Sequence, residues 1–545
     1  MMTTTQRWGW LMGTVFLFTL PRINAQQQRP NIIFILSDDH AYQATSAYGN
    51  QLIQTPGIDR IAREGALLTH NFVGNSICGP SRATLLTGKY SHKNGYTLNE
   101  KTFDVHQETF PVLLQQGGYQ TAWIGKLHLG SLPIGFDYFN ILPGQGHYYI
   151  PDFINNRNDT VRYKGYVSDL ISQFFFQWLQ ERDTSKPFFA VVGEKATHRS
   201  WLPDIQDLGA YDHINFPLPS DFYDDYEGRA AAKDQDMTVD KTMRLKEDLK
   251  VDASFGENGY EAAKDGLRDL ASKYWPEKKI SEEDLHKLYA RISEYGRMDS
   301  VQANAYKEYY GNISKDFHSK NLTGKALTEW KFQRYLKDYY ATAKSLDRNI
   351  ERILTYLDST GLNKNTVVIY ASDQGFYLGE HGWFDKRFIY EESLKTPFVI
   401  RYPGVIKPGS KVDGLISNID WNPTLLDIAG VKAPAEVQGK SFLPLLKGKS
   451  SGWRDAVYYH YYEYPQPHHV SPHFGLRSNR YVLARFYQGV DAWELFDLQK
   501  DPGEHKNVYD DPAYQTIKKS LKVKLASLAK QYDDTEALQL LAKEK

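Results

Sequence analysis

The chain runs to 545 residues, and its 65 Lys and Arg nearly cancel 66 Asp and Glu, leaving a formal charge of −1. With 41% hydrophobic and 24% charged residues it can bury a large core, which excludes wholesale disorder, and the balanced charge argues against a protein held to nucleic acid through phosphates. A single cysteine excludes an intramolecular disulfide framework and any thiolate-rich zinc or iron–sulfur centre.

Residues 1–25 have the layout of a secretory leader. Arg7 precedes an apolar run from Trp8 to Leu20, Pro21 breaks it, and Ala25 offers a small residue before a polar glutamine run. The run is shorter than the roughly 20 residues of a membrane span, so cleavage and export, to the periplasm or the medium, is expected. An uncleaved anchor is the competing reading. No later stretch is long and apolar enough for stable membrane insertion.

After Pro30 the sequence NIIFILSDDH is a continuous apolar run ending in two acids, as a buried parallel strand looks where it delivers polar residues at its carboxyl end. Helix-like and strand-like segments then alternate through GIDRIAREGALLTHNFV, YQTAWIGKLHLG, SDLISQFFFQWLQER and PFFAVVG. A long amphipathic stretch, YYATAKSLDRNIERILTYLDST, precedes a second strand, TVVIYASDQG. The pattern predicts an α/β fold: a mixed, mostly parallel central sheet flanked by helices, with a smaller C-terminal α+β domain. Ligands of such sheets sit beyond the carboxyl ends of the strands, so the DD and SDQG ends are expected to be neighbours.

Residues 26–448 form the predicted catalytic domain, with a charged helical insertion at about 205–335 that reads as a solvated face along one side of the cleft. A polar linker at Gly448–Gly452 introduces the last unit, 449–545, where DAVYYHYYEY, YVLARFY and AWELFDL predict an antiparallel sheet before a terminal helix from about Pro512. No repeat of fixed period is present.

The lone Cys78 stands in NSICGPSRATLLTG. Gly79 and Pro80 force a turn, Pro80 suits the first position of a helix, and Arg82 adds a cation one turn on, a setting built for an oxyanion. Asp38, Asp39, Asp373 and Gln374 offer three carboxylates and an amide oxygen without clustered thiols or imidazoles, which suits a hard cation. In GKLHLG, Lys126 and His128 share one side of an extended segment, and His198 follows the strand PFFAVVG.

Cys78-Gly79-Pro80-Ser81-Arg82 followed by LLTG resembles the signature of the type I, formylglycine-dependent sulfatases of the alkaline-phosphatase superfamily. The resemblance extends from NIIFILSDDH to the KDPGE segment. It implies that Cys78 is oxidised to formylglycine by a sulfatase-maturating enzyme, and that Asp38, Asp39, Asp373 and Gln374 hold one Ca²⁺. Gln374 departs from the more usual Asn or His there, but offers the same carbonyl oxygen on a longer arm. The resemblance further implies that Lys126 and Lys386 bind sulfate together with Arg82, that His128 assists proton removal, and that His198 is the general acid for the leaving alcohol. One hydroxyl of the hydrated aldehyde then attacks sulfur, and deprotonation of the other expels sulfate.

The segments SDQGFYLGEHGWFDKR and EYPQPHHVSPHFGLR look most like bacterial polysaccharide sulfatases near the N-acetylglucosamine-6-sulfatase group. The implied substrate is a sulfated carbohydrate, either a glycosaminoglycan or an algal polysaccharide such as ulvan or carrageenan. His381, His468, His469, His473 and Arg477 are candidate sugar contacts, with ordinary structural histidine as the alternative. A phosphonate monoester or phosphodiester hydrolase of the same superfamily, and a secreted non-catalytic sugar-binding protein, are the competing functions. A secreted alkaline phosphatase fits less well, since its usual metal sites need more histidines.

Overall fold

The computed structural model describes residues 1, 4–5, 29–274 and 279–543, so the predicted leader falls, but for residues 1, 4 and 5, outside the described residues. Ten strands form the main sheet: β1 (Asn31–Ser37), β2 (Ala66–Leu68), β3 (Gln120–Lys126), β4 (Tyr138–Leu142), β5 (Asp152–Asn155), β6 (Thr160–Arg162), β7 (Phe188–Gly193), β8 (Thr366–Ser372), β9 (Phe398–Arg401) and β10 (Ser410–Val412). Their spatial order is β10-β2-β9-β8-β1-β7-β3-β4-β5-β6. The central run β8-β1-β7-β3-β4 is parallel throughout, and antiparallel pairs appear toward the edges. Mixed pairing around a parallel centre is the architecture expected from the alternation of elements.

Strand β1 shows why the centre reads as unbroken apolar sequence. Ile32, Phe34 and Leu36 enter the core on one face, while Ile33 and Ile35 enter the core on the other. Helices α1 (Cys78–Thr87) and α4 (Trp421–Ile428) cover the first face, and α2 (Val167–Glu181) and α3 (Gly324–Ser359) cover the second. Each such side chain contributes about 1.5–3 kcal/mol by leaving water, so the sheet carries its stability on both faces.

Register places the polar ends. Ser37 of β1 pairs with Ser372 of β8, and Leu36 pairs with Gly193 of β7. Asp38 and Asp373 therefore leave adjacent strands at the same level. Between β3 and β7 the backbones approach so closely that a Cβ on Gly125, where φ is +96°, would lie 2.0 Å from the Gly193 carbonyl oxygen. Only glycine fits there, and Lys126 follows immediately.

The stretch 205–335 is less uniformly solvated than its charge suggests. Phe216, Phe222, Met243 and Leu249 pack with Trp201, Tyr335 and Phe384, and Phe255, Met298, Tyr306 and Tyr310 join the core beneath α2 and α3. Helices Glu257–Tyr274 and Glu282–Ile292 enclose a small core of their own, including Tyr260, Leu267, Leu285 and Leu288. The tyrosines supply the area: each hides an aromatic ring while keeping its hydroxyl bonded. Among the described residues no helix is long and apolar enough to cross a membrane.

The C-terminal unit is a four-stranded antiparallel sheet, β11 (Ala456–Tyr461), β12 (His473–Ser478), β13 (Tyr481–Phe486) and β14 (Ala492–Asp497), followed by helices Gln515–Gln531 and Thr535–Ala542. Asp534 pins the last helix to this sheet. It accepts from Ala537 N at 3.0 Å and Tyr458 Oη at 2.8 Å, and lies 2.6 Å from His460 Nδ1. Asp534→Ala leaves those donors without their acceptor, and should lower stability by on the order of 3 kcal/mol, read as a fall in the thermal midpoint. An unchanged midpoint would count against this anchoring role.

Candidate active site

Four adjacent strand ends and one helix N-terminus converge on a single buried cluster. From β1 come Asp38 and Asp39, from β8 Asp373 and Gln374, from β3 Lys126 with His128 beyond it, from the segment after β7 His198, and from α1 Cys78. Asp38, Asp39 and Asp373 each present an oxygen within 4.8 Å of the other two, and Asp38, Cys78 and His198 form a second triplet within the same limit. The two acidic strand ends are thus neighbours, as the parallel arrangement requires.

Cations hold the carboxylates in place. Arg82 is fully buried, with Nε donating to Asp373 Oδ2 at 2.9 Å and Nη1 to the Lys126 carbonyl at 2.7 Å. Lys126 Nζ donates to Asp38 Oδ2 and to Gln145 Oε1. Lys386 Nζ stands 2.7 Å from both oxygens of Asp39 and 3.8 Å from Cys78 Sγ. The Arg82 donors go to Asp373 and to backbone carbonyls, so it orients a carboxylate and the ends of two strands. Lys386 is the cation that reaches Cys78 Sγ, and the Lys126 charge also acts on that thiol.

Electrostatics follow from burial. Desolvation pushes Asp39 up to about 6 despite Lys386, and pushes Asp373 up to about 7 with help from the Asp38 charge. Burial opposes ionisation of Asp38 too, but Lys126, His198, Arg82 and Lys386 together hold it well below the usual range. The Cys78 thiol is pushed well up by burial and by Asp38, so it is a thiol rather than a thiolate at neutral pH. Burial likewise holds His128, with Lys126 nearby, and His198 well below the ordinary imidazole range.

The donor set fits a hard cation. Asp38 Oδ1 and Gln374 Oε1 are both buried without a hydrogen-bond partner, as oxygens awaiting an ion would be. Gln374 Nε2 faces Asp39 Oδ1 and lies 3.3 Å from Cys78 Sγ, so a half-turn of the amide brings Oε1 to the same place. Three carboxylates and one amide oxygen match Ca²⁺ or Mg²⁺ chemistry. Backbone strain marks the same region. Asp39, His128, Asp385 and Arg387 all take left-handed φ, at 60°, 57°, 80° and 100°, a conformation that costs about 1–3 kcal/mol per non-glycine residue.

The candidate sugar contacts separate. His473 is locked in the C-terminal sheet: Nδ1 donates to Ser471 O at 2.8 Å, and Nε2 accepts from Ile389 N at 3.1 Å. His381 is packed between Trp383 and Tyr390, with Nδ1 2.9 Å from Asp224. Arg477 is spent on Glu391, at 3.2 Å through two nitrogens, over the Phe72 ring. These three are structural, because every group that would reach a sugar is enclosed or paired. His469 turns to Asp234 at 3.3 Å. Only His468 stays with the site, its Nε2 3.3 Å from Asp385, the residue before Lys386.

Sequence reasoning missed several supports. Gln145 holds Lys126, and Tyr148 Oη donates to the His198 carbonyl at 2.6 Å. Glu294, from the insertion, accepts from Tyr148 N at 3.2 Å and pairs with Lys195 at 3.2 Å. Asp385 and Arg387 pair with each other at 3.1 Å on either side of Lys386. The charged DKR triplet was the one local signal for them; Gln145 and Glu294 act across long sequence separations and leave none.

Residues 30–431 match the Sulfatase family, and residues 379–531 match the C-terminal family of N-sulphoglucosamine sulphohydrolase. An N-acetylglucosamine-6-O-sulfatase of Bacteroides thetaiotaomicron is 44% identical over 94% of this chain and 88% of its own. A solved protein in complex with its substrate, D-glucosamine-2-N,6-O-disulfate, superposes with a TM-score of 0.85 at 43% identity, covering 93% of this chain and 99% of that one. The phosphonate monoester hydrolase of Agrobacterium radiobacter shares the fold at 22% identity and a TM-score of 0.61, over 92% of this chain and 96% of its own. A catalytic body matched from its first strand to the end of α4, with a buried cysteine beside Lys386, leaves one assignment: the chain belongs to the sulfatase family and is a sulfuric ester hydrolase.

Proposed function

We propose that this sulfatase removes the 6-O-sulfate of a glucosamine unit in a sulfated glycan, using a formylglycine made from Cys78 and one Ca²⁺ held by Asp38, Asp39, Asp373 and Gln374. The observation that carries the reading is the grouping of Cys78 Sγ, Asp38 and His198 within 4.8 Å, with Lys386 Nζ 3.8 Å from the sulfur. The sugar is argued from the 44% identical N-acetylglucosamine-6-O-sulfatase and from the disulfated glucosamine bound by the 43% identical structure. Export through the N-terminal leader, and an encounter with a maturating enzyme, belong to the same proposal.

The hydrated aldehyde would supply a hydroxyl nucleophile at position 78, and a cation held by Asp38, Asp39, Asp373 and Gln374 would supply Lewis-acid stabilisation of negative charge there. Lys126 and Lys386 offer N–H donors to that position, preorganised by Asp38 and Gln145 and by Asp39 respectively. His198 has its tautomer set by Nδ1, which donates to the Arg199 carbonyl at 2.8 Å. Nε2 therefore takes up a proton before it serves as general acid, a step the incoming negative charge favours. His128 is neutral and has a buried Nδ1 without a hydrogen-bond partner, the state of a base able to accept a proton.

Cys78→Ala should lower kcat/KM on a 6-O-sulfated N-acetylglucosamine by on the order of 10⁴-fold or more while leaving the thermal midpoint in place. A peptide spanning position 78, from protein coexpressed with a maturating enzyme, should carry an aldehyde in place of the thiol. Activity retained by the alanine variant would refute the mechanism, and a panel in which phosphate esters outrun sulfate esters would refute the substrate class.

Proton competition gives a second test. In the metal-free protein Asp39 and Asp373 bind protons up to about pH 6 and 7, above the unfolded carboxylate range, so falling pH protonates the ligands and opposes the cation. The apparent Kd for Ca²⁺, measured by calorimetry, should rise at least about tenfold from pH 8 to pH 6. Ca²⁺ should correspondingly raise the thermal midpoint more at pH 8 than at pH 6; a pH-independent Kd would contradict the assignment of these ligands.

A further inference from the structure

Away from the catalytic cluster, three segments remote in sequence bring a second set of metal-ligating groups together. Asp221 lies in the insertion, His381 in the turn five residues before Lys386, and His505 in the C-terminal unit. One ligand atom of each lies within 4.8 Å of the other two. Two of the three separations are shorter, since His505 Nε2 stands 3.2 Å and His381 Nδ1 3.5 Å from the same oxygen, Asp221 Oδ2. Ligands about 2.0–2.2 Å from a tetrahedral ion sit about 3.4 Å apart, so these two edges already have the required length.

The surroundings have the order that a bound imidazole needs. His505 Nδ1 faces Asp501 Oδ1 at 3.1 Å, and Nε2 is the nitrogen aimed at the Asp221 carboxylate, at 3.2 Å. A ring nitrogen and a carboxylate oxygen at that distance share either a proton or a cation. His381 is fully buried, and the same Nδ1 that faces Asp221 also stands 2.9 Å from Asp224 Oδ2, so a cation taking this nitrogen would displace the proton shared there. Arg229 donates to both oxygens of Asp224, which neutralises that acid and leaves Asp221 as the carboxylate for an ion.

We propose that Asp221, His381 and His505 form a binding site for a Zn²⁺-type cation, which clips the insertion and the C-terminal domain onto the turn that leads to Lys386. Two imidazoles and one carboxylate select a borderline divalent ion over Ca²⁺, in contrast to the all-oxygen set at the strand ends. A fourth position is left to water. The role is structural, and none of the three residues approaches Cys78 in the clusters described above.

The test uses the full-length protein, stripped with EDTA and then given saturating Ca²⁺ so that the oxygen site is filled. Calorimetric titration with Zn²⁺ alone should show one equivalent per chain, with a raised thermal midpoint. Asp221→Asn and His505→Ala should each weaken that uptake at least tenfold while leaving aryl sulfate hydrolysis unchanged. His505 is 41% exposed, so its removal leaves no internal cavity. No Zn²⁺ uptake by the wild type, or uptake of equal affinity in both variants, overturns the assignment. The readout is metal content, so it stands or falls separately from the formylglycine mechanism.

Discussion

Crowding three carboxylates into a dry space costs more electrostatic energy than a folded domain has to spare, unless positive charge is interleaved with them. Here Arg82 takes Asp373, Lys126 takes Asp38 and Lys386 takes Asp39, one cation to each acid and all of them buried. Among the carboxylates the pairing leaves Asp38 Oδ1 without a donor, beside the equally unpartnered Gln374 Oε1. It also keeps two ammonium charges acting on Cys78. Under the proposed function, charge compensation and substrate recognition would be one arrangement seen from two sides. Removing any of these cations would strand its acid, which is why a single lysine has both structural and chemical weight.

How much was legible depended on whether a residue's role is set locally. NIIFILSDDH and TVVIYASDQG announce buried strands with acidic ends because both faces of a parallel strand are covered, so hydrophobicity does not alternate. The cysteine signature lies within one helix and was equally readable, whereas Lys126 ends β3 and His128 lies beyond it with φ at 57°, so the pair does not share one side of an extended segment as expected. Arg82 was legible as a cation but not as a group already spent, since its partners come from β8, β1 and the end of β3. His473 and Arg477 share a polar sequence neighbourhood with His468, and His381 lies in another, yet of the four only His468 stays beside Asp385. Burial separates them, and no local pattern encodes which of several neighbouring imidazoles the C-terminal sheet will enclose.

The insertion shows the same limit at larger scale. Its composition suggests a solvated helical surface, yet its tyrosines and phenylalanines enter two of the main cores. Glu294 then reaches back to Lys195 and to the backbone of Tyr148, whose hydroxyl fixes the His198 carbonyl. A segment that looks accessory thus buttresses His198 at one remove.

The alignment of β1 with β8 has a consequence for how the protein is quality-controlled. Asp38 and Asp373 meet only because Ser37 sits opposite Ser372. Sliding β8 by one residue would swing every side chain to the reverse face, bringing Ser372 or Gln374 to the place of Asp373 and carrying the acid into the apolar layer beneath. Misthreaded chains would thereby forfeit the ion along with the hydrophobic packing. With the proposed Ca²⁺ bound, its occupancy would act as a molecular proofreader of strand pairing, stabilising only correctly threaded chains.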